Sequence, residues 1–258
     1  MKKILIIGIG PGNPDYVTIQ AVNALNQVDV FFILDKGASK AKLTEFRRQI
    51  CKRYIEGDDY RFVDATSPEW DRRSADYGAT IADLNRDKQL LYERLIAEEI
   101  NDGECAGFLV WGDPTLYDST IRIIEAIAKG GAHHIDYEVI PGISSIQALA
   151  ARHKVTLNRI GQSIAIITGR KLTEGFPSTS DSVVVMLDAG DAYKGYADQD
   201  IEIYWGAYVG MPDEILIAGK LSEVADDIER ARAEARQRHG WIMDSYLMRK
   251  RGGKERTS

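Results

Sequence analysis

Ile4-Leu5-Ile6-Ile7-Gly8-Ile9-Gly10-Pro11-Gly12-Asn13-Pro14-Asp15 is a short apolar run that stops at glycines and prolines. A strand covered by helices on both faces of a parallel sheet has this near-continuous apolar character. Residues 18–28 follow with Ile19, Val22 and Leu25 at helical spacing and Thr18 available as the cap. Residues 28–34 form a second apolar run. Strand, helix and strand in that order make a βαβ unit, whose crossover is right-handed.

The same alternation continues outward. Helices are expected over residues 39–54, 77–101, 119–129 and 144–153, and strands over 61–63, 107–111 and 137–140. Beyond residue 153 the texture changes to strands at 163–167, 182–187, 201–208 and 214–217, with one long helix at 222–238. Clustered strands point to a mixed or antiparallel sheet. The expected architecture is therefore two α/β domains, a parallel-sheet domain over 1–157 and a mixed-sheet domain over 158–258. The turn Asn158-Arg159-Ile160-Gly161 separates them.

Composition narrows the function. With 258 residues and 44% of them apolar, the chain can bury a core. It carries 33 Lys and Arg against 39 Asp and Glu, net -6, which argues against a nucleic-acid partner. The basic residues Arg249, Lys250, Arg251, Lys254 and Arg256 read as a solvated C-terminal tail. Two isolated cysteines, Cys51 and Cys105, make no disulfide framework, and the four histidines show no metal spacing, so no metal is expected. No apolar window reaches the roughly 18 residues of a membrane span. A cytoplasmic protein without a membrane partner is expected.

Three turns carry the chemistry. The first, Gly8 to Asp15, follows a strand as a dinucleotide fingerprint does, and Asp35 ends the second strand where a ribose-binding acid would lie. Its spacing is nevertheless G-x-G-x-G, and Pro11 and Pro14 lack the N–H groups a phosphate cradle uses. A rigid loop lining a cleft is the stronger reading, and a nicotinamide-dependent oxidoreductase the weaker. The second turn is Trp111-Gly112-Asp113-Pro114-Thr115-Leu116-Tyr117, and the third Pro141-Gly142-Ile143-Ser144-Ser145. All three stand at the carboxyl ends of expected parallel strands, which predicts a small-molecule cleft there, closed by the second domain.

GIGPGNPDYVT, GDPTLY and IPGISS, in this order, resemble the tetrapyrrole methylase family, and the resemblance covers essentially the whole chain. ITGR at residues 167–170, Val185-Met186 and IAGKLS at 217–222 extend it. It implies S-adenosyl-L-methionine as cofactor, S-adenosyl-L-homocysteine as product and a homodimer. By motif match the cofactor contacts are Pro11, Trp111, Gly112, Asp113, Leu116, Ser144, Ser145, Met186 and, in a following loop, Gly206. The longer runs WGDPTLYDSTIRI, YEVIPGISSIQALAARH and ITGRKL resemble the cobalamin-biosynthetic branch that methylates the tetrapyrrole precorrin-5 at C1 and releases its acetyl group as acetate. A sibling precorrin methylase is the alternative within the family.

Methyl transfer from a sulfonium needs mainly alignment, for which well-oriented pairs gain about 7–11 kcal/mol. Deacetylation needs water to add to a carbonyl, so a positioned base would help. Asp15, Asp35, Asp113 and Tyr117 are the catalytic candidates, with a turn acid as the other reading of Asp113 and a core residue as the other reading of Tyr117. A substrate rich in carboxylates calls for cations. Lys36, Arg170 and Lys171 are the expected substrate contacts, whereas Lys40, Lys42, Arg47 and Arg48 read as the wet face of a helix.

Overall fold

The computed structural model describes residues 1–35, 41–68 and 77–251. Its contacts divide the chain into two units, Met1–Ile143 and Ser144–Ser258. The division falls before the helix at Ser145–His153 rather than at the turn near Asn158. That helix packs on strands of the second unit, with Leu149 fully buried.

The first unit is a five-stranded parallel sheet of β1 (Lys2–Gly8), β2 (Val30–Asp35), β3 (Arg61–Thr66), β4 (Cys105–Val110) and β5 (Ile135–Ile140). Their spatial order is β3-β2-β4-β1-β5. Helices α1 (Ile19–Leu25) and α2 (Ala41–Tyr54) lie on one face, α3 (Tyr77–Glu99) and α4 (Thr120–Gly130) on the other. Successive side chains of a strand point to opposite faces, so Leu5 and Ile7 join one core with Phe31, Phe46 and Ile50. Ile4 and Ile6 join the other with Phe32, Tyr92 and Phe108. Each such buried side chain contributes about 1.5–3 kcal/mol. Cys51 and Cys105 are free and buried. Burial pushes their thiols up to about 12 and about 11, so neither is a reactive thiolate at neutral pH.

The second unit is the expected mixed sheet. It comprises α5 (Ser145–His153), β6 (Ile164–Thr168), α6 (Gly169–Thr173), β7 (Ser182–Met186), β8 (Ile201–Ala207), β9 (Ile215–Lys220), α7 (Leu221–His239) and β10 (Asp244–Lys250). The order is β6-β7-β10-β8-β9. Only β6 and β7 run parallel. β10 corrects the sequence reading: the basic tail begins inside the central strand of this sheet. Arg249 is only 8% exposed, and it donates to Ser182 Oγ at 3.3 Å and to the Thr156 carbonyl. Lys254 and Arg256 lie outside the described residues. Among the described residues no helix is long and apolar enough to cross a membrane.

One ion pair at the amino edge of the first sheet makes stability depend on pH. Arg61 donates to both carboxylate oxygens of Glu104, at 2.8 and 3.0 Å. With the Asn101 N–H at 2.7 Å, it holds Glu104 at about 2, against an ordinary 4.5. A depressed carboxylate lends stability that is whole above its ordinary value and lost as pH falls toward the folded one. The gap in unfolding midpoint between wild type and Arg61→Met is therefore expected to be full at pH 7 and to close between pH 4.5 and 2. Denaturant titrations across that range measure it.

Candidate active site

The three turns do converge within the first unit. Gly10 and Gly112 form an isolated antiparallel bridge, with Gly112 N donating to Gly10 O at 2.9 Å and Gly10 N to Gly112 O at 3.2 Å. Gly112 adopts φ +70°, a region open to glycine. The third turn is pressed onto the other two. A Cβ on Gly142 would stand 2.1 Å from Gly112 O and 2.9 Å from Gly8 Cα.

Asp113 ties this assembly together. Its Oδ1 accepts from Thr115 N at 2.8 Å and from the Thr115 hydroxyl. Its Oδ2 accepts from Gly142 N at 2.8 Å, reaching across from the second turn to the third. The residue thus fills the turn-acid role rather than presenting a free base. Asp15 pairs with Arg53 of α2 at 2.5 Å, both exposed, and Asn13 Oδ1 accepts from its N–H. Tyr117 is no core tyrosine: it is 46% exposed, and it sits at φ +51°, a strained conformation for a bulky residue. Partial burial raises its hydroxyl pKa, so the hydroxyl stays protonated at neutral pH. Pro11 is buried; Trp111 and Leu116 are half-buried. Asp35 ends β2 opposite Thr66. Lys36 lies outside the described residues.

The geometry disfavours the dinucleotide reading on two counts. The N–H groups of Ile9 and Gly10 are spent on Val110 O and Gly112 O, and the glycines lead into a single 3-10 turn at Pro14–Tyr16 whose first N–H is missing, with α1 beginning only at Ile19, so no α-helix follows the glycines directly to receive a pyrophosphate. In addition β4 lies between β1 and β2. At roughly 4.8 Å per strand, Asp35 starts about 10 Å from the strand that carries the glycine loop. A turn with two prolines and with its Ile9 and Gly10 N–H groups already bonded has few donors to give a phosphate.

In the second unit the predicted residues fall into two groups. Ser144 caps α5: its Oγ accepts from Ile146 N at 3.2 Å, and Gln147 Oε1 accepts from its own N–H. Ser145 follows, half-buried. Met186 and Gly206 share one register row. Met186 pairs with Thr168 and Ser245, and Ser245 with Gly206. Gly206 is therefore inside β8, not in the loop expected. A Cβ there would meet Leu149 at 2.7 Å and Val209 at 2.8 Å, so packing of α5 and the strand end accounts for the glycine. Arg170 and Lys171 are exposed on α6, just past that row, with Lys171 paired to Glu174 at 2.5 Å.

Arg47 is the clearest miss. It does not lie on a wet face: Nε donates to Leu109 O and Nη1 to Leu43 O, both at 3.0 Å. The signal was available, because Leu43, Arg47, Ile50, Cys51 and Tyr54 fall on one stripe at i, i+4, i+7, i+8 and i+11.

The chain matches the family of tetrapyrrole (corrin/porphyrin) methylases over residues 3–225. It belongs to that family. It is 49% identical over 250 residues to the precorrin-6A synthase [deacetylating] of Sinorhizobium sp, covering 97% of this chain and 96% of that one. A crystal structure of a cobalamin synthesis related protein (CobF) from Corynebacterium diphtheriae aligns with TM-score 0.83 and 34% identity, over 97% of this chain and 99% of that one. The uroporphyrin-III C-methyltransferase of Thermus thermophilus, solved with S-adenosyl homocysteine, shares the fold at TM-score 0.58 and 16% identity, over 95% and 96% of the two chains.

Proposed function

We propose that this chain is an S-adenosylmethionine-dependent C-methyltransferase of cobalamin biosynthesis, methylating precorrin-5 at C1 and releasing the acetyl group as acetate to give precorrin-6A. The observation that carries this reading is the 49% identity to the deacetylating precorrin-6A synthase over 97% of the chain. The phosphate-averse glycine turn agrees with it. A homodimer in the cytoplasm is part of the same proposal.

When bound, S-adenosylmethionine supplies an electrophilic methyl on a sulfonium. Pro11, Trp111, Gly112, Asp113 and Leu116 of the first unit would hold it. Asp113 acts by clamping two turns together, and Tyr117 keeps its proton for donation to a developing oxyanion. Arg170 and Lys171 face the carboxylates of the tetrapyrrole.

Calorimetric titration tests the cofactor. S-adenosylhomocysteine should bind and NAD should give no comparable heat. Asp113→Ala strands the part-buried N–H of Gly142, at a cost of about 1–3 kcal/mol, and should weaken S-adenosylhomocysteine binding at least about tenfold. Heat with NAD alone would sink the reading. Incubation with precorrin-5 should release acetate; methylation without acetate would identify a sibling enzyme.

A further inference from the structure

The geometry points to a crevice between the carboxyl ends of β2 and β4 as a seat for one small carboxylate, formed by Arg47, Lys88 and the hydroxyls of Ser67 and Ser119. This assignment rests on the functional reading above for the identity of its occupant.

Topology makes the crevice. β2 leads leftward in the sheet to β3, through α2 on one face, while β4 leads rightward to β5 through α4 on the other. Ligands of open α/β sheets bind where neighbouring connections part in this way. The strands themselves separate there. β1 and β4 pair through six residues, whereas β2 and β4 pair only from Val30–Ala106 to Phe32–Phe108. Past that point the Leu109 carbonyl is taken by Arg47 instead of a strand, and a partly enclosed cavity of about 100 Å³ remains.

Its wall is short of one negative charge. Arg47 keeps Nη2 without a hydrogen bond among the described residues, its other two nitrogens being spent on carbonyls. Lys88 makes one long bond, to Ser119 Oγ at 3.4 Å. Asp118 is the one acid in the lining. Its Oδ1 accepts from Thr120 N at 2.7 Å, and it pairs with neither cation among the described residues. Burial pushes both cations below their ordinary pKa values, and the Asp118 charge only partly opposes this. Trp111, whose buried Nε1 lacks a partner among the described residues, also lines the cavity.

Two cations and one acid leave a surplus of one positive charge. A carboxylate balances it, while a phosphate dianion would overshoot. About three times a water's share of liquid volume (roughly 30 Å³) suits an acetate-sized group. The proposed reaction offers that chemistry twice, as free acetate and as a carboxylate arm of the tetrapyrrole.

The test is titration of the full chain with sodium acetate at constant ionic strength, followed by saturation-transfer NMR. Wild type, Arg47→Met and Lys88→Met are compared, with S-adenosylhomocysteine affinity as the measure of an intact fold. Acetate binding to wild type that weakens tenfold to a hundredfold in either variant, the range set by hydrogen bonds to charged groups, assigns the seat to the released product. No acetate binding, but a raised KM for precorrin-5 at unchanged kcat in both variants, assigns it to a substrate arm. Variants that match wild type in both measurements overturn the proposal. If Arg47→Met does not fold, Lys88→Met decides alone. Absence of methyl transfer by wild type would sink the functional reading separately, since acetate titration needs no turnover.

Discussion

Gly142→Ala is expected to lower the melting temperature by roughly 6–12 °C and to abolish S-adenosylhomocysteine binding. The added Cβ would stand 2.1 Å from Gly112 O and 2.9 Å from Gly8. These are backbone atoms of two other turns, so no side chain can swing aside to admit it. Overpacking of this kind costs about 3 kcal/mol, and each kcal/mol moves Tm by about 2–4 °C in a chain of this size. Relief requires the third turn to retreat, which also breaks the 2.8 Å bond from Gly142 N to Asp113. The loss of binding should therefore exceed what the lost stability alone explains. Gly130→Ala is the control, because a Cβ there meets nothing within 4 Å. Differential scanning calorimetry and cofactor titration on both variants check the contrast.

The second large effect is expected from Arg232→Met. Arg232 is 2% exposed. It pairs with Asp244 at 3.0 Å and with Asp191, and it donates to the Asp188 carbonyl. Removing one member of a buried pair strands the other and costs about 3–5 kcal/mol. Burial already raises the Asp244 pKa, with Arg232 opposing the shift. Without the arginine it rises further. A carboxyl whose folded pKa is raised penalises folding above that value, and the penalty fades as pH falls through it. Urea midpoints should therefore drop sharply for Arg232→Met at pH 7.5 and recover part of the loss at pH 5.5. Adding Asp244→Asn should restore stability at the higher pH. An unchanged midpoint in the single variant would show that the network contributes nothing. The same network anchors the residues after Met186, since Asp188 Oδ2 accepts from Tyr246 Oη at 2.6 Å and from Ala192 N at 2.8 Å.

The parallel sheet was readable because its three inner strands, β2, β4 and β1, are buried on both faces and so are written as near-continuous apolar runs, as in Ile4 to Ile7. β10 was not, because Asp244, Arg249 and Lys250 are polar in isolation. Its burial comes from β7 and β8 on either side, and Arg249 finds its partners at Thr156 and Ser182, far away in the chain. Gly206 shows the same limit: a motif suggested a loop, and the reason for the glycine is Leu149 of another element.

Local chemistry by itself determined the elements apart from β10, the presence of two α/β units and the turns that end at glycine and proline, because periodicity and fixed proline geometry act within a few residues. The motif strings in those turns also pointed to the family. Strand order was decided only by the tertiary structure. Insertion of β4 between β1 and β2 separates Asp35 from the glycine loop, and it opens the crevice that turns Arg47 from a surface cation into an inward one. Such placements depend on which distant strands pair, and pairing energy is set by burial of the whole sheet rather than by any one segment.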